Sequence, residues 1–190
     1  MPQAKLWTTA NIITASRVLF GPLCIWLLTS ESPSLIWAAL ALAIVAEASD
    51  LIDGYIARSS AKVSSLGKIL DPMADCLYRG SVFIAFAING WMPVWMLAII
   101  LWRDLAVSYL REITELQAVT LAARASGKLK AVVQGVAQLA VIALAAAFGP
   151  DSYAAYSSTA QGLLLIATAV TAYSLFDYAG GVVQSIARRT

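Results

Sequence analysis

Long apolar runs recur along the chain, each cut off by a few polar residues. Asn11 to Thr29 is the first. Glu31-Ser32-Pro33-Ser34 forms a turn, and Leu35 to Arg58 is the second run, apolar until Glu47. Ser59 to Ser65 is a short polar loop. Leu66 to Ile88 is the third run, closed by Asn89-Gly90. Pro93 opens the fourth, where its missing amide is tolerated, and the run continues through Arg103-Asp104 to about Glu115. A connector to about Ala125 leads to the fifth, Gly127 to Phe148, ended by Gly149-Pro150. A surface turn, DSYAAYSS, precedes the sixth, from about Thr159 to Ile186, and Arg188-Arg189 follows it.

Runs of roughly 20 apolar residues match the hydrocarbon depth of a bilayer. The pattern therefore predicts an all-α integral membrane protein with six transmembrane helices in a single domain, residues 1–190. Met1 to Ala10 reads as a short interfacial segment, with Trp7 at headgroup level and Lys5 in water. Arg17 interrupts the first run and no clean small-x-small site follows, which argues against a cleaved signal peptide. The ends of the runs carry Trp7, Trp91 and Trp95, predicted to form an aromatic belt. The fifth and sixth runs are rich in Ala and hold Gly135, Gly162, Gly180 and Gly181, which predicts close packing within a bundle or a dimer.

Composition supports this picture. The chain is 60% hydrophobic and 13% charged, against roughly 25% charged in soluble domains. A net charge of +2, with no basic tract, excludes a nucleic-acid partner. Cys24 and Cys76 both fall in apolar runs and provide neither a disulfide framework nor a CxxC motif. The connectors at 30–34, 89–92 and 149–158 contain no Lys or Arg. Basic residues on the other side predict a multi-pass protein of the cytoplasmic membrane, with both termini and the 59–65 connector facing the cytoplasm.

Four aspartates stand out from this background: Asp50, Asp53, Asp71 and Asp75. An ionisable group at membrane depth costs about 2.5–3.5 kcal/mol on insertion scales, so it persists for a function or a partner. Four acids with no histidine in the chain suggest a hard, oxygen-liganded cation such as Mg²⁺ or Mn²⁺. Asp50 and Asp53 share a face of the second helix, Asp71 and Asp75 a face of the third, and a short loop lets those faces meet. One or two divalent cations would relieve the repulsion, and a pair about 3.5–4 Å apart can clamp a phosphoryl transfer. Gly54 and Gly67 leave room for a ligand, and Pro72 removes an amide from the third helix. An ion path is the alternative of another class: a small cation or lipid transporter, with the acids paired to Arg58, Lys68 and Arg79. A bare ion path has no reason to place Gly54, Ala57, Arg58 and Gly67 at these spacings.

The string Asp50-x2-Asp53-Gly54-x2-Ala57-Arg58-x8-Gly67-x3-Asp71-x3-Asp75 resembles, at every fixed position, the signature of the CDP-alcohol phosphotransferase family. The resemblance implies six transmembrane helices, a cavity facing the cytoplasm, a homodimer, and dependence on Mg²⁺ or Mn²⁺. It implies displacement of CMP from a CDP-linked lipid by an acceptor hydroxyl. By the same resemblance Asp50, Asp53 and Asp71 are metal ligands at the pyrophosphate, and Asp75 is a further metal ligand or the catalytic base. Gly54, Ala57, Arg58, Ser64 and Gly67 match positions that bind the CDP-lipid.

The acceptor depends on residues outside this string. Lys68, Asp71, Asp75 and Arg79 form a polar stripe on the third helix. The fourth carries Arg103, Asp104, Ser108, Arg111, Glu112 and Glu115. Arg124, Lys128, Lys130, Gln134 and Gln138 follow. Many cations beside an acidic site suggest an acceptor with its own phosphate. The strings NIITASRVLFGP, RDLAVSYLRE and AARASGKLK, with Gln134, resemble one branch of the family, the bacterial phosphatidylglycerophosphate synthases. That resemblance implies CDP-diacylglycerol as donor and glycerol 3-phosphate as acceptor. Arg79, Arg111, Arg124, Lys128 and Lys130 are then candidates for the acceptor phosphate. Another phosphorylated polyol such as inositol phosphate also fits the cluster, whereas serine needs less positive charge. Many members of that branch place Lys directly after the fourth aspartate, where this chain has Cys76; Arg79, one turn on, could supply the charge. Glu47 reads as a partner for a cation or as cavity lining, and Asp177 as an interfacial residue.

Overall fold

The computed structural model describes residues 9–30, 32–59, 65–116, 124–149 and 152–187, with side chains described for 17–30, 32–49, 72–112, 114, 124–149 and 152–183. Among the described residues the chain forms α1 (Thr9–Leu28), α2 (Pro33–Ser59), α3 (Ser65–Ile88), α4 (Val94–Leu116), α5 (Ala125–Phe148) and α6 (Tyr153–Ala187), and no strand. The all-α class follows the hydrophobic pattern closely. Lys5 and Trp7, read as interfacial, and Arg188 and Arg189 lie outside the described residues.

Local chemistry sets several helix ends. Pro33 is the first residue of α2, where a helix has no use for the missing amide. Gly90 takes φ +72°, a left-handed conformation open to glycine, at the end of α3. That turn lets the Trp91 and Met92 amides donate back to the Phe86 carbonyl at 2.8 and 3.2 Å. Gly149 closes α5 with φ +84°, and its amide donates to the Ala145 carbonyl.

Two expectations are corrected. The sixth helix begins at Tyr153, not Thr159, so most of the supposed surface turn is helical. Aromatic packing accounts for it. Tyr156 is buried and stacks on Phe148, and the Tyr153 hydroxyl donates to the Trp91 carbonyl at 2.9 Å. Trp91, expected in an interfacial belt, is only 2% exposed. The turn at Gly90 folds it inward between Phe86 and Tyr153, with ring centroids 5.7 and 6.3 Å away. Trp95 faces outward.

α1 packs most broadly on α3 and also meets α2; α2 packs on α5, and α6 covers α5 and α4. Cys24, Ile36, Ala43, Val82, Phe86 and Ile142 lie in the buried core. Gly21 makes the α1–α3 contact possible, because a Cβ there would stand 2.6 Å from the Ser81 hydroxyl. Gly135 and Gly181 also stand at close contacts between elements, whereas Gly162 and Gly180 have open space around them. Many large apolar side chains point outward, among them Trp26, Trp37, Trp102, Val132, Ile166 and Phe176. Ala125–Phe148 and Tyr153–Val183 are long and apolar enough to cross a membrane; Arg17–Leu28 and Pro33–Ser49 are shorter apolar stretches.

Candidate active site

The backbone of α2 carries Asp50, Asp53, Gly54, Ala57 and Arg58, and that of α3 carries Gly67, Asp71 and Asp75. The side chains of all of these except Asp75, and the whole of Ser64, lie outside the described residues. Among the described side chains no three His, Cys, Asp or Glu converge as a metal site. The structure does describe an ion pair that links the two helices and what surrounds Asp75.

Arg79 marks the meeting point. Its Nε donates to Asp75 Oδ1 at 2.7 Å, one turn earlier on α3. Its Nη2 donates to Glu47 Oε2 on α2 at 3.1 Å, and its Nη1 to the Ala131 carbonyl on α5 at 2.9 Å. The Arg79 carbonyl in turn accepts from Gln138 Nε2 at 2.8 Å. Glu47 precedes Asp50 by three residues on one face of α2. The signature aspartates therefore start one turn from this ion pair on each helix, toward the connector that joins them. Glu47 takes the first of its two expected roles, partner to a cation.

Beside Asp75 opens a cavity of about 150 Å³. Pro72, Asp75 and Cys76 line it from α3. Arg103, Asp104, Val107, Ser108 and Arg111 line it from α4, and Gly127, Lys130 and Ala131 from α5. Lys130 is buried, and its ammonium donates to both Asp104 oxygens at 2.7 and 2.9 Å. Arg103 Nη1 donates to Asp104 Oδ1 at 3.0 Å and its Nε to the Ser174 hydroxyl at 2.7 Å. Cys76 Sγ lies 4.0 Å from Asp104 Oδ2. Beside Cys76 the Asp104 carboxylate is thus held by Lys130 from α5, while Arg79 is engaged by Glu47 and Asp75.

Of the other candidate cations, Arg111 lines the cavity. Its Nη2 donates to the Tyr178 hydroxyl at 2.7 Å, and its guanidinium lies 5.2 Å from the centre of that ring. Arg103 lies 5.5 Å from the same ring. Cation–π attraction seats both guanidinium groups on one buried tyrosine. Sequence reasoning missed Tyr178, because an aromatic residue on the last helix looks like any other membrane aromatic. Gly127 leaves room for it, since a Cβ there would stand 2.9 Å from the Tyr178 hydroxyl. Arg124 is ion-paired to Asp177 and donates to the Asp177 carbonyl at 2.5 Å. The Ser126 hydroxyl donates to the same carboxylate at 2.5 Å. Asp177, read from the sequence as interfacial, ties the start of α5 to α6. Lys128 is exposed, and neither it nor Arg124 is among the cavity's lining residues.

A profile of the CDP-alcohol phosphatidyltransferase family matches residues 7–180. The chain belongs to this family. It is similar to a CDP-diacylglycerol–glycerol-3-phosphate 3-phosphatidyltransferase of Treponema pallidum, 29% identical, with 74% of this chain and 68% of that protein covered. It is also similar to a Mycobacterium tuberculosis protein named "Probable phosphatidylglycerophosphate synthase", 32% identical, with 86% and 78% covered. A cardiolipin synthase (CMP-forming) of Streptomyces coelicolor is 35% identical over 53% of this chain and 48% of its own length. As a CDP-alcohol phosphatidyltransferase the chain is an enzyme of phospholipid biosynthesis, and this reading replaces the ion path. The cavity suits such an enzyme: its lining joins Asp75 to three cations, Arg103, Arg111 and Lys130, with Asp104 holding two of them.

Proposed function

We propose that this chain transfers a phosphatidyl group from CDP-diacylglycerol to sn-glycerol 3-phosphate, giving phosphatidylglycerophosphate and CMP. The cavity carries this reading: it joins a carboxylate able to take a hydroxyl proton to cations able to hold a phosphate. The two relatives that cover most of the chain are named for this product or this acceptor, whereas the cardiolipin synthase match covers about half.

Asp75 orients the acceptor hydroxyl and removes its proton as the new ester bond forms. Arg111 and Lys130 neutralise the acceptor's phosphate, with Arg103, Asp104 and Tyr178 holding them in place. Arg79 is held by Glu47 and Asp75 and Arg124 by Asp177, and Lys128 lies outside the cavity lining, which leaves Arg111 and Lys130 as the cations for the acceptor phosphate. The donor set fits a hard divalent cation: the chain has no histidine, and the Asp75 side chain reaches the cavity at 30% exposure. Asp50, Asp53, Asp71 and Asp75 would hold Mg²⁺ or Mn²⁺, which when bound neutralises the pyrophosphate as CMP leaves. Gly54, Ala57, Arg58, Ser64 and Gly67 would line the CDP-lipid's path. We place all six helices across the cytoplasmic membrane of a homodimer, with this site facing the cytoplasm. The outward apolar side chains and the one-sided distribution of Lys and Arg support that placement.

Purified protein supplied with CDP-diacylglycerol and a panel of acceptors tests the reaction. CMP release should require glycerol 3-phosphate, stop on chelation and return with Mg²⁺ or Mn²⁺. Release with inositol phosphate alone would move the acceptor assignment, and no release with any polyol phosphate or serine would sink the reading. Tyr178→Phe keeps the ring but removes the hydroxyl that Arg111 donates to. A hydrogen bond to a charged group contributes about 1.5–3 kcal/mol, so the acceptor KM should rise about tenfold or more while kcat holds. A KM within twofold of wild type would remove Arg111 from phosphate binding.

A further inference from the structure

We propose that Glu47 and Gly135 are positioning residues for the transfer reaction, acting on Asp75 through Arg79. The inference rests on the reading of Asp75 given above and assigns work to two residues outside the family signature and outside the cavity lining.

Arg79 is 3% exposed, and each of its three guanidinium nitrogens donates to a different helix: Asp75 on α3, Glu47 on α2 and Ala131 on α5. Its own carbonyl is held by Gln138. A planar group pinned in three directions cannot swing, so it holds the Asp75 carboxylate at one orientation. Asp75 keeps 30% side-chain exposure at the cavity wall. The arrangement thus gives the reacting carboxylate a fixed back and an open front.

Glu47 contributes in two ways. It supplies the α2 end of the strut, which ties the helix bearing Asp50 and Asp53 to the helix bearing Asp71 and Asp75. It also shares the guanidinium charge. Among the described partners two carboxylates share one guanidinium, so Arg79 is not given over to Asp75 alone.

Gly135 makes room for this cluster. A Cβ there would stand 2.7 Å from Glu47 Oε2 and 3.0 Å from Arg79 Nη1. The ends of long side chains can usually give way, but both of these are tied to partners. A methyl group at residue 135 would therefore push the strut and carry Asp75 with it.

Glu47→Ala and Gly135→Ala test the proposal in purified protein, alongside wild type. Partners that orient a ligand typically cost about 10–100-fold in metal affinity or activity when removed, so kcat for CMP release should fall by about that factor while the acceptor KM changes little. Mn²⁺ binding without substrates, followed by electron paramagnetic resonance, should weaken in parallel, and the melting temperature should stay near wild type. In a Glu47→Ala background Gly135→Ala should add less loss than it causes in wild type, because the nearer of the two atoms it would strike, Glu47 Oε2, is gone. With wild type active, a kcat and Mn²⁺ binding that both survive Glu47→Ala overturn the inference and leave the reaction assignment standing. A raised acceptor KM with kcat intact overturns it in favour of Arg79 as an acceptor ligand. If one variant fails to fold, the other decides; failure of both assigns the cluster to stability alone and overturns the positioning role. Wild type without CMP release, by contrast, sinks the reaction assignment itself.

Discussion

Asp75→Asn should reduce CMP release by about a thousandfold or more and leave the protein folded, because a general base alone contributes about 10²–10⁴ and a metal ligand would be lost with it. The substitution is isosteric. An amide oxygen can still accept from Arg79 Nε, which sits 2.7 Å from Asp75 Oδ1 in the wild type. The strut to Glu47 and Ala131 does not depend on the charge of residue 75. The new amide group would meet the open cavity, so it brings no buried unsatisfied donor. What disappears is the proton acceptor and one negative charge at the cation site. Measuring CMP release together with the melting temperature separates the two effects. Full activity in Asp75→Asn would remove this residue from the base role, and a collapsed melting temperature would show that its charge serves the fold.

Much of the helical architecture, and one local pair of the candidate site, was legible in the sequence, for a definite reason. Apolar run length, Pro33, Gly90 and Gly149 are local signals, and each acts at the place where it is written. The Asp75–Arg79 pair is equally local, four residues apart on one helix. Contacts between helices follow a different logic. Glu47 meets Arg79 across 32 residues and Lys130 meets Asp104 across 26. Both pairings depend on how each helix is rotated, which in turn depends on where small residues such as Gly21, Gly127 and Gly135 let neighbours approach. Spacing alone put five cations near an acceptor. Only the fold divides them into Lys130 and Arg111 at the cavity, Arg79 behind Asp75, Arg124 on Asp177, and Lys128 exposed and outside the lining. Trp91 and the first turn of α6 escaped the pattern for a related reason: Trp91, Tyr153 and Tyr156 bury one another, and an interfacial aromatic and a core aromatic read alike in one dimension.

Asp104→Ala should destabilise the protein strongly, and Asp104→Ala combined with Lys130→Met should restore much of that loss without restoring acceptor binding. Asp104, Arg103 and Lys130 are each 6–7% exposed. Removing Asp104 leaves an ammonium and a guanidinium buried side by side with their shared counter-charge gone, and breaking a buried pair in this way costs about 3–5 kcal/mol. The double variant removes the stranded ammonium as well. Arg103 then still donates to Ser174 at 2.7 Å and lies over the Tyr178 ring. Buried ion pairs often add little net stability over apolar replacements, so the double variant should melt closer to wild type than the single one does. Apparent melting temperatures in detergent test this; a double variant less stable than Asp104→Ala would show that Lys130 is stabilised by something other than Asp104. If the pair costs the fold as much as it returns, its presence at the cavity needs another reason. The acceptor provides one: a cation kept dry and aimed by a carboxylate can hold a phosphate that a solvated lysine would hold weakly. The double variant should therefore fold, yet lose its preference for a phosphorylated acceptor.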